Sequence, residues 1–424
     1  MSTILGIIKA IFLTTISTVV KVLSGVIINK FISLYIGPSG LAIIGQFQNI
    51  SGIIQTVASG GLTNGVVKYT AENSSKNSLW SSALKITMTL SALSAIFLVL
   101  FSYYLSEYFL NTSSYYYIFI LFGFTIFFFS INQLLLAIIS GLKRMRFYIV
   151  INIIQSVYSL VFTALLIYFL NLDGALIAMV TNQSIVFFIL LWLLRNDSDI
   201  KIEYFKERYN VDYGFKLLKF SMMTIVSVVC LPVSSLVIRN YIGSHLSWDY
   251  AGYWQAINYI STMYLLVITT VLSVYYLPRL SSIFDKKSLI NEITKNSIVL
   301  VPLTMLGAGL IFLLKDWIVL LLFSKDFDSM LILLKYQLIG DVVKITACLL
   351  SYLMLAKAMT KIFIYTEIFS AISLTMLSIY FIDNYGFIGL SYAYLINNII
   401  YFCVILFIVI KYFLDGRNFM VNSI

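Results

Sequence analysis

The chain has 424 residues, of which 60% are hydrophobic and only 11% are charged, and its mean hydropathy is +0.96. Soluble domains carry roughly 25% charged residues, so this composition excludes a pair of soluble domains and predicts a protein whose solvent is the lipid bilayer. The net charge of +10 comes without a dense basic run or a stacking platform, which argues against nucleic acid as a partner.

Twelve apolar segments are each long enough to cross a bilayer as a helix. In chain order they cover residues 4–36, 40–70, 80–107, 115–142, 146–170, 174–195, 214–241, 249–280, 291–321, 330–356, 361–382 and 386–413. Several exceed the minimal length and are expected to tilt or to extend beyond the lipid. The sequence therefore predicts an all-α membrane protein of about twelve transmembrane helices.

Turn residues separate or interrupt these spans. The groups Gly37–Gly40, Asn171–Gly174 and Asp383–Gly386 have the composition of turns between neighbouring helices. The pair Gly60–Gly61 predicts a bend within the second span. Lys315–Asp316 predicts that the ninth span ends in a short separate piece.

Lysine and arginine are distributed unevenly between the two sets of alternate connections. Of the 28 residues, 21 lie at the termini and on the connections of one side, four lie on the other side and three lie within spans. Cytoplasmic loops carry such an excess. The distribution predicts a multi-pass membrane protein with both termini in the cytoplasm, and it supports an even number of spans.

The longest polar connection falls midway and separates two sets of six helices. We predict an N-terminal lobe of residues 1–198, a cytoplasmic linker of 199–213 and a C-terminal lobe of 214–424. A short internal similarity supports two repeats, because Tyr35–Gly37 and Tyr241–Gly243 occur at the first turn of each half. Transporters built from parallel repeats bind substrate between the repeats and rock them to alternate access.

Two lysines lie within the first span. A charge at the middle of a membrane helix is costly, so it predicts a functional site. Lys21 is near the middle, and Lys30 follows nine residues later, so at about 100° per residue the two side chains cannot face one point of a straight helix. We predict that Lys21 lines a cavity, and that Lys30 either lines it instead or extends toward the interface or a neighbouring helix.

The tenth span carries the densest polar pattern, with Gln337, Asp341, Lys344 and Ser351 on one face. Two interpretations remain open. Asp341 and Lys344 either pair within their own helix as a polar seam, or they form the charged wall of an aqueous cavity. In the second case Lys344 contacts a phosphate or an acidic sugar, and Asp341 modulates that contact.

Further candidates lie on other spans. Glu367, in the eleventh span, either binds a proton or forms a structural ion pair. Arg239, at the outer end of the seventh span, either contacts substrate or anchors the helix at the interface. Neutral polar stripes on the second and twelfth spans either join helices or hydrogen-bond sugar hydroxyls, and they comprise Gln48, Gln55, Asn64, Tyr394, Asn397, Asn398 and Tyr401.

Catalytic motifs are missing from the sequence. The single histidine, His245, falls in a short outer connection, and no Cys–His pair, metal-ligand spacing or nucleotide-binding loop occurs. We therefore predict a transport protein rather than an enzyme, with no cofactor.

Five sequence blocks, in family order along most of the chain, carry a resemblance to a known family. They are Ser17–Lys21, Gly37–Leu41, Asn64–Tyr69, Tyr275–Ser281 and Tyr336–Lys344. On these blocks the chain resembles the Wzx-type O-antigen flippases and the related enterobacterial common antigen translocase. Both belong to the polysaccharide transporter branch of the multidrug/oligosaccharidyl-lipid/polysaccharide (MOP) exporter superfamily.

The resemblance implies two six-helix lobes around a central cavity, as in MATE/MOP-like transporters. It implies that the substrate is an undecaprenyl-pyrophosphate-linked oligosaccharide, the O-antigen repeat unit, which moves from the cytoplasmic to the periplasmic leaflet. Within that scheme Lys21, Lys30, Lys344 and Arg239 would meet the pyrophosphate or acidic sugars. An O-antigen polymerase and a chain-length regulator are the protein partners that the family implies.

The alternative function is that of a cation-coupled multidrug exporter with the same fold. Such an exporter would favour an acidic, aromatic cavity for cationic drugs. In this sequence the lysines inside the predicted spans match or outnumber the acids, which argues for an anionic substrate.

Overall fold

Helices joined by short turns form the described part of the chain. The computed structural model describes residues 2–72, 76–195, 197, 199–357 and 359–414. No β-strand occurs within those ranges, so the all-α fold predicted from the apolar segments is confirmed. The chain divides into two compact units, unit 1 (Met1–Pro232) and unit 2 (Val233–Ile424).

Unit 1 contains seven described helices and the first part of an eighth. Their bounds are α1 Ser2–Tyr35, α2 Gly37–Ala58, α3 Thr63–Glu72, α4 Lys76–Leu100, α5 Ser102–Leu110, α6 Tyr116–Gly141, α7 Met145–Leu194 and α8 Val211–His245. A hydrophobic core at one end of the unit surrounds the fully buried Trp80, whose indole N–H donates to Thr70 Oγ1 at 3.0 Å.

Glycine sets the first two breaks of unit 1. Gly37 adopts φ +78 between α1 and α2, and Pro38 follows within the first turn of α2, where its missing N–H costs no hydrogen bond. Gly60 and Gly61 adopt φ +66 and +59, a left-handed conformation that glycine adopts without steric cost. They separate α2 from α3, and the predicted bend is thereby confirmed.

The long helix α7 is broken at Asn171, whose φ of 48° and ψ of −124° are not helical. The chain turns so tightly after this residue that a Cβ on Gly174 would lie 2.0 Å from the carbonyl oxygen of Leu166. Only glycine fits such an approach. The break confirms the predicted turn at Asn171–Gly174 and the two spans on either side of it.

Unit 2 contains the second part of α8 and seven further described helices. Their bounds are α9 Trp248–Val271, α10 Leu277–Ser282, α11 Lys286–Leu313, α12 Lys315–Leu322, α13 Leu331–Ala356, α14 Thr360–Tyr385 and α15 Gly389–Leu414. Residues Leu272–Tyr276 form a π-helical turn between α9 and α10. The separation of α11 from α12 confirms the predicted short piece that begins at Lys315. Gly386, at φ +65, ends α14.

The polar connection after α7 packs against α4 of unit 1. Ser81 Oγ donates to the carbonyl oxygens of Phe205 and Glu207 at 3.1 and 2.5 Å, and Lys85 Nζ donates to that of Glu207 at 2.7 Å. The division between the units falls at Pro232, within α8. The predicted lobe limits at 198 and 214 fall earlier along the same stretch and remain a prediction.

Six described helical stretches are long and apolar enough to cross a membrane. Two of these stretches, Arg146–Leu194 and Thr360–Leu414, each contain a break and therefore consist of two helical segments. Large apolar side chains such as Leu306 and Leu313 are exposed on these helices, and an aqueous solvent would penalise that surface. The chain is therefore a multi-pass membrane protein.

Candidate functional site

The centre of the site is Asp341, a carboxylate in the middle of α13 that is fully buried within unit 2. Three hydroxyl groups donate hydrogen bonds to it. Ser261 Oγ and Tyr264 OH, from α9, reach Oδ2 at 2.7 and 2.9 Å, and Tyr394 OH, from α15, reaches Oδ1 at 2.7 Å. A buried carboxylate needs such donors, because each unsatisfied lone pair carries a desolvation cost.

The sequence positions these donors by simple helical spacing. Ser261 and Tyr264 are three residues apart, so they lie on one face of α9. Gly340 allows α15 to approach α13, since a Cβ there would lie 2.6 Å from the ring of Tyr394. The lack of a side chain at Gly340 thus lets the Tyr394 hydroxyl reach Asp341.

Gln337 extends the polar cluster by one turn of α13. It is buried, and its Nε2 donates to Ser261 Oγ at 3.2 Å and to Asn258 Oδ1 at 3.4 Å. Asn258 and Ser261 both belong to α9. The polar face predicted for the tenth span therefore packs against a matching polar face of α9.

Lys344 lies one turn after Asp341 on α13, and its side chain is exposed. Its Nζ lies 5.9 Å from the centroid of the Tyr394 ring, a distance that allows a cation–π contact. Among the described residues, Lys344 forms no ion pair within 4.0 Å. The intrahelical pair with Asp341, one of the two interpretations open from the sequence, is not formed.

Glu367, on α14, is a second carboxylate close to Lys344. It is half-buried, and its Oε1 accepts a hydrogen bond from Tyr401 OH at 2.5 Å. The charge of Lys344 acts electrostatically on both Glu367 and Asp341. The two carboxylates thus lie within electrostatic range of one cation, and each is hydrogen-bonded to a tyrosine of α15.

Asn397 lies on α15 between Tyr394 and Tyr401 and is buried. Its Nδ2 donates to Ser370 Oγ of α14 at 3.2 Å. Its Oδ1 has no hydrogen-bond partner in the part of the chain that the structure describes. The side chain therefore joins α15 to α14, and its carbonyl oxygen could accept a further hydrogen bond.

Arg239, near the end of α8, is almost completely buried within unit 2, with 2% of its surface exposed. Its Nη2 donates to Gln255 Oε1 at 2.5 Å, and its Cζ lies 5.5 Å from the centroid of the Trp254 ring. The structure thus places the predicted outer cation inside the protein, against α9.

The predicted site residues of unit 1 are more exposed. Lys21 is exposed on α1 and Lys30 is half-buried nine residues later, while Gln48 and Asn64 are exposed and Gln55 is half-buried. The described part of the protein thus leaves the side chain of Lys21 uncovered and covers that of Lys30 in part.

The contribution of α9 to the site is not predicted from the sequence. Gln255, Asn258 and Ser261 recur at intervals of three residues within the eighth span, and this stripe could have predicted a polar face there. Among the described residues, no group of three or more His, Cys, Asp or Glu side chains is arranged to hold a metal ion. The site offers hydroxyls, amides, two carboxylates and one exposed cation.

Solved structures with the same fold include a transporter and a flippase. An inward-facing multidrug resistance MATE family transporter of the MOP superfamily superimposes with a TM-score of 0.76 at 14% identity, covering 96% of this chain and 99% of that chain. The lipid II flippase MurJ, in an inward closed conformation, gives 0.72 at 18% identity, covering 96% and 89%. The predicted MATE/MOP-like fold is thereby confirmed.

Sequence comparison identifies the family to which the chain belongs. The model of the family described as polysaccharide biosynthesis protein matches residues 7–284, which is more than half of the chain. The chain belongs to this family. The lipid III flippase of Escherichia coli (strain K12) is 27% identical over 398 residues, which cover 93% of this chain and 96% of that protein. These relatives are named as flippases or transporters, in agreement with the prediction that the protein is not an enzyme.

Proposed function

We propose that this protein is a flippase that moves an undecaprenyl-pyrophosphate-linked oligosaccharide, the O-antigen repeat unit, from the cytoplasmic to the periplasmic leaflet by alternating access. The observation that carries the proposal is the similarity to a lipid III flippase over 93% of the chain, within a family described as polysaccharide biosynthesis proteins.

The charges of the site support an anionic substrate. Lys344 is exposed at the middle of α13, where a charge facing lipid would be costly. Water or an anionic ligand is therefore its expected environment. A pyrophosphate supplies several negative oxygens that pair well with an ammonium group. Lys21 and Lys30 would provide further cations from unit 1, and the amides and hydroxyls around Gln337 and Asn397 would hydrogen-bond sugars.

The same proposal includes the location. The excess of lysine and arginine on one set of connections supports insertion in the bacterial inner membrane with both termini in the cytoplasm. A polymerase and a chain-length regulator, which act on the flipped repeat unit, would be its partners at the periplasmic face.

A cation-coupled multidrug exporter is the second candidate, favoured by the likeness to MATE transporters and by the buried carboxylate of Asp341. The two candidates differ in the charge of the substrate. A drug exporter would depend on Asp341 and Glu367 for binding and would tolerate the loss of Lys344.

Complementation tests the proposal directly. In a strain that lacks its own O-antigen flippase but makes the matching repeat unit, the wild type is expected to restore the surface polysaccharide ladder on a gel. Lys344→Ala and Lys21→Ala are expected to lower the ladder at least tenfold at equal protein level, because a hydrogen bond to a charged group contributes about 1.5–3 kcal/mol. Lys344→Arg should keep most of the ladder.

Lys361→Ala is the matched control, since this exposed lysine at the start of α14 lies at a helix end. It is expected to leave the ladder unchanged. If the wild type itself fails, and the protein instead confers resistance to cationic drugs, the exporter takes the place of the flippase.

A further inference from the structure

Both carboxylates near Lys344 are capped by tyrosines of one helix. Tyr394 OH donates to Asp341 and Tyr401 OH donates to Glu367, and the two tyrosines are seven residues apart, so they lie on the same face of α15. Lys344 acts electrostatically on both acids. This repeated arrangement calls for an explanation that includes all three charges.

Lys344 is well placed to pair with Asp341 but does not do so. The two residues are three apart on α13, a spacing at which oppositely charged side chains can meet. The described structure nevertheless contains no ion pair between them within 4.0 Å. The acceptor oxygens of Asp341 are instead occupied by Ser261, Tyr264 and Tyr394.

We propose that the hydroxyl caps on Asp341 and Glu367 keep Lys344 available for the anionic part of the substrate. Tyr394 is then a positioning residue that acts through Asp341, and it need not touch the substrate. The inference rests on the proposed function, because it assigns Lys344 to the pyrophosphate of a lipid-linked substrate.

The physical reason is competition for one cation. A buried carboxylate without donors gains strongly from an ammonium group, whereas a carboxylate that already accepts three hydrogen bonds gains less. The caps thus reduce the attraction that would draw Lys344 toward the acids. The ring of Tyr394 also presents its face to Nζ at 5.9 Å, which holds the ammonium group beside the cap without neutralising it.

A double-mutant cycle separates this role from direct binding. The probe is undecaprenyl pyrophosphate, titrated against the purified full chain in nanodiscs, with the dissociation constant as the readout. Tyr394→Phe keeps the ring and removes only the hydroxyl, and it is expected to weaken binding about tenfold. In the Asp341→Asn background, where residue 341 carries no charge that could compete for Lys344, the same substitution is expected to change binding less than about twofold.

Two further variants make the test robust. Ser261→Ala removes another donor from Asp341 without touching an aromatic ring, and it is expected to weaken binding in the same background-dependent way. Tyr392→Phe is the matched control on α15, where the hydroxyl does not bond Asp341, and it is expected to bind as the wild type does.

The outcomes distinguish failure of the proposed function from failure of the inference about the hydroxyl caps. A wild type that does not bind undecaprenyl pyrophosphate would overturn the proposed function, and the inference with it. A wild type that binds, with Tyr394→Phe equally weak in both backgrounds, would show that the hydroxyl contacts the ligand itself and would overturn the inference alone. Unchanged binding by both Tyr394→Phe and Ser261→Ala would also overturn it.

Discussion

At the scale of single residues, two cations of unit 2 differ in what surrounds them. The guanidinium of Arg239 is buried and is held by Gln255 and by the face of Trp254. The ammonium of Lys344 is exposed beside Tyr394. Burial commits a charged side chain to the partners that replace its hydration, whereas an exposed charge can exchange partners. Arg239 is therefore expected to stabilise the fold, whereas Lys344 is expected to bind the ligand.

Arg239→Ala is expected to reduce the stability of the protein, because it leaves a cavity and removes the donor to Gln255. We expect a loss of about 2–4 kcal/mol, the range for large-to-small substitutions in a core. Thermal unfolding in detergent, followed by tryptophan fluorescence, measures the effect together with the amount of protein in the membrane. A variant that melts as the wild type does and yet fails in transport would place Arg239 in the substrate path instead.

The sequence predicts only part of this site, for a physical reason. Spacing within one helix shows that Gln337, Asp341 and Lys344 share a face of α13. Whether Ser261 and Tyr264 of α9 face Asp341 depends on how the two helices are rotated about their own axes. A polar stripe shows which residues share a face of one helix, but no pattern within a single span fixes the rotation of that helix against another. The burial of Arg239 was missed for the same reason.

At the scale of elements, the contact between α13 and α15 depends on close packing at one glycine. A Cβ at Gly340 would lie 2.6 and 2.8 Å from two ring atoms of Tyr394 and 3.4 Å from the backbone of Leu395. Small residues let membrane helices approach in this way, and packing then provides much of the association energy.

Gly340→Ala is expected to push the Tyr394 ring away and to lengthen its bond to Asp341. Overpacking of this kind costs about 1–3 kcal/mol, which thermal unfolding of the purified protein can measure. Gly309→Ala on α11 is the matched control, since its Cβ would meet nothing within 4 Å, and alanine favours helix by about 1 kcal/mol. Equal melting temperatures for the two variants would contradict the packing role of Gly340.

An ion pair outside the membrane spans joins the two ends of α7, between Nη1 of Arg144, which precedes the helix, and Oδ2 of Asp197, in the connection after it, at 2.5 Å. Burial alone raises the pKa of Asp197. Hydrogen bonds from Arg144 and from the backbone N–H groups of Asp199 and Ile200, with the charge of Arg144, outweigh burial and hold this pKa below its ordinary value of 3.8.

A lowered carboxyl pKa contributes stability that is complete above the unfolded pKa and is lost as the pH falls through the folded pKa. The melting temperature of the wild type is therefore expected to exceed that of Asp197→Asn at neutral pH. The gap should close below the ordinary pKa of 3.8, as Asp197 becomes protonated. A gap that does not change with pH would show that the pair adds nothing through its charge.

Among the helix breaks, the predicted ones coincide with residues that disfavour helix or end it. Gly60–Gly61 and Asn171–Gly174 are of this kind, whereas the break before α12 falls at Leu314, beside the charged pair Lys315–Asp316. The break between α4 and α5 falls at Phe101, with φ −101 and ψ 10, inside an apolar run that has no glycine or proline. Such a break follows from packing around the helix end, and local sequence does not specify it.

At the scale of the whole molecule, the same kind of tyrosine–aspartate hydrogen bond occurs at corresponding turns of the two units. Tyr117 OH donates to Asp173 in unit 1, and Tyr241 OH donates to Asp383 in unit 2, each at 2.5 Å. Both aspartates lie at the turns before the last helical segment of their half, and the distribution of lysine and arginine predicts that these turns are periplasmic. The same Tyr–Asp hydrogen bond thus recurs at corresponding turns of the two halves of the sequence.

The orientation can be tested by labelling single cysteines with a membrane-impermeant maleimide. Ser244→Cys lies in the last turn of α8, and Lys287→Cys lies at the start of α11; both positions are exposed. The natural thiols, replaced by alanine in the background protein, are Cys230, Cys348 and Cys403.

Because lysine and arginine remain on the cytoplasmic side during insertion, we expect Ser244→Cys to be labelled in intact spheroplasts. Lys287→Cys should be labelled only after the membrane is permeabilised. The cysteine-free background is the control for non-specific labelling, and complementation shows that each variant is inserted and functional. Labelling of Lys287→Cys in intact spheroplasts would contradict the predicted orientation, because it would place the positively charged connections in the periplasm. A lipid-linked substrate taken from the cytoplasmic leaflet would then meet the opposite face of the protein from the one that the charge distribution predicts.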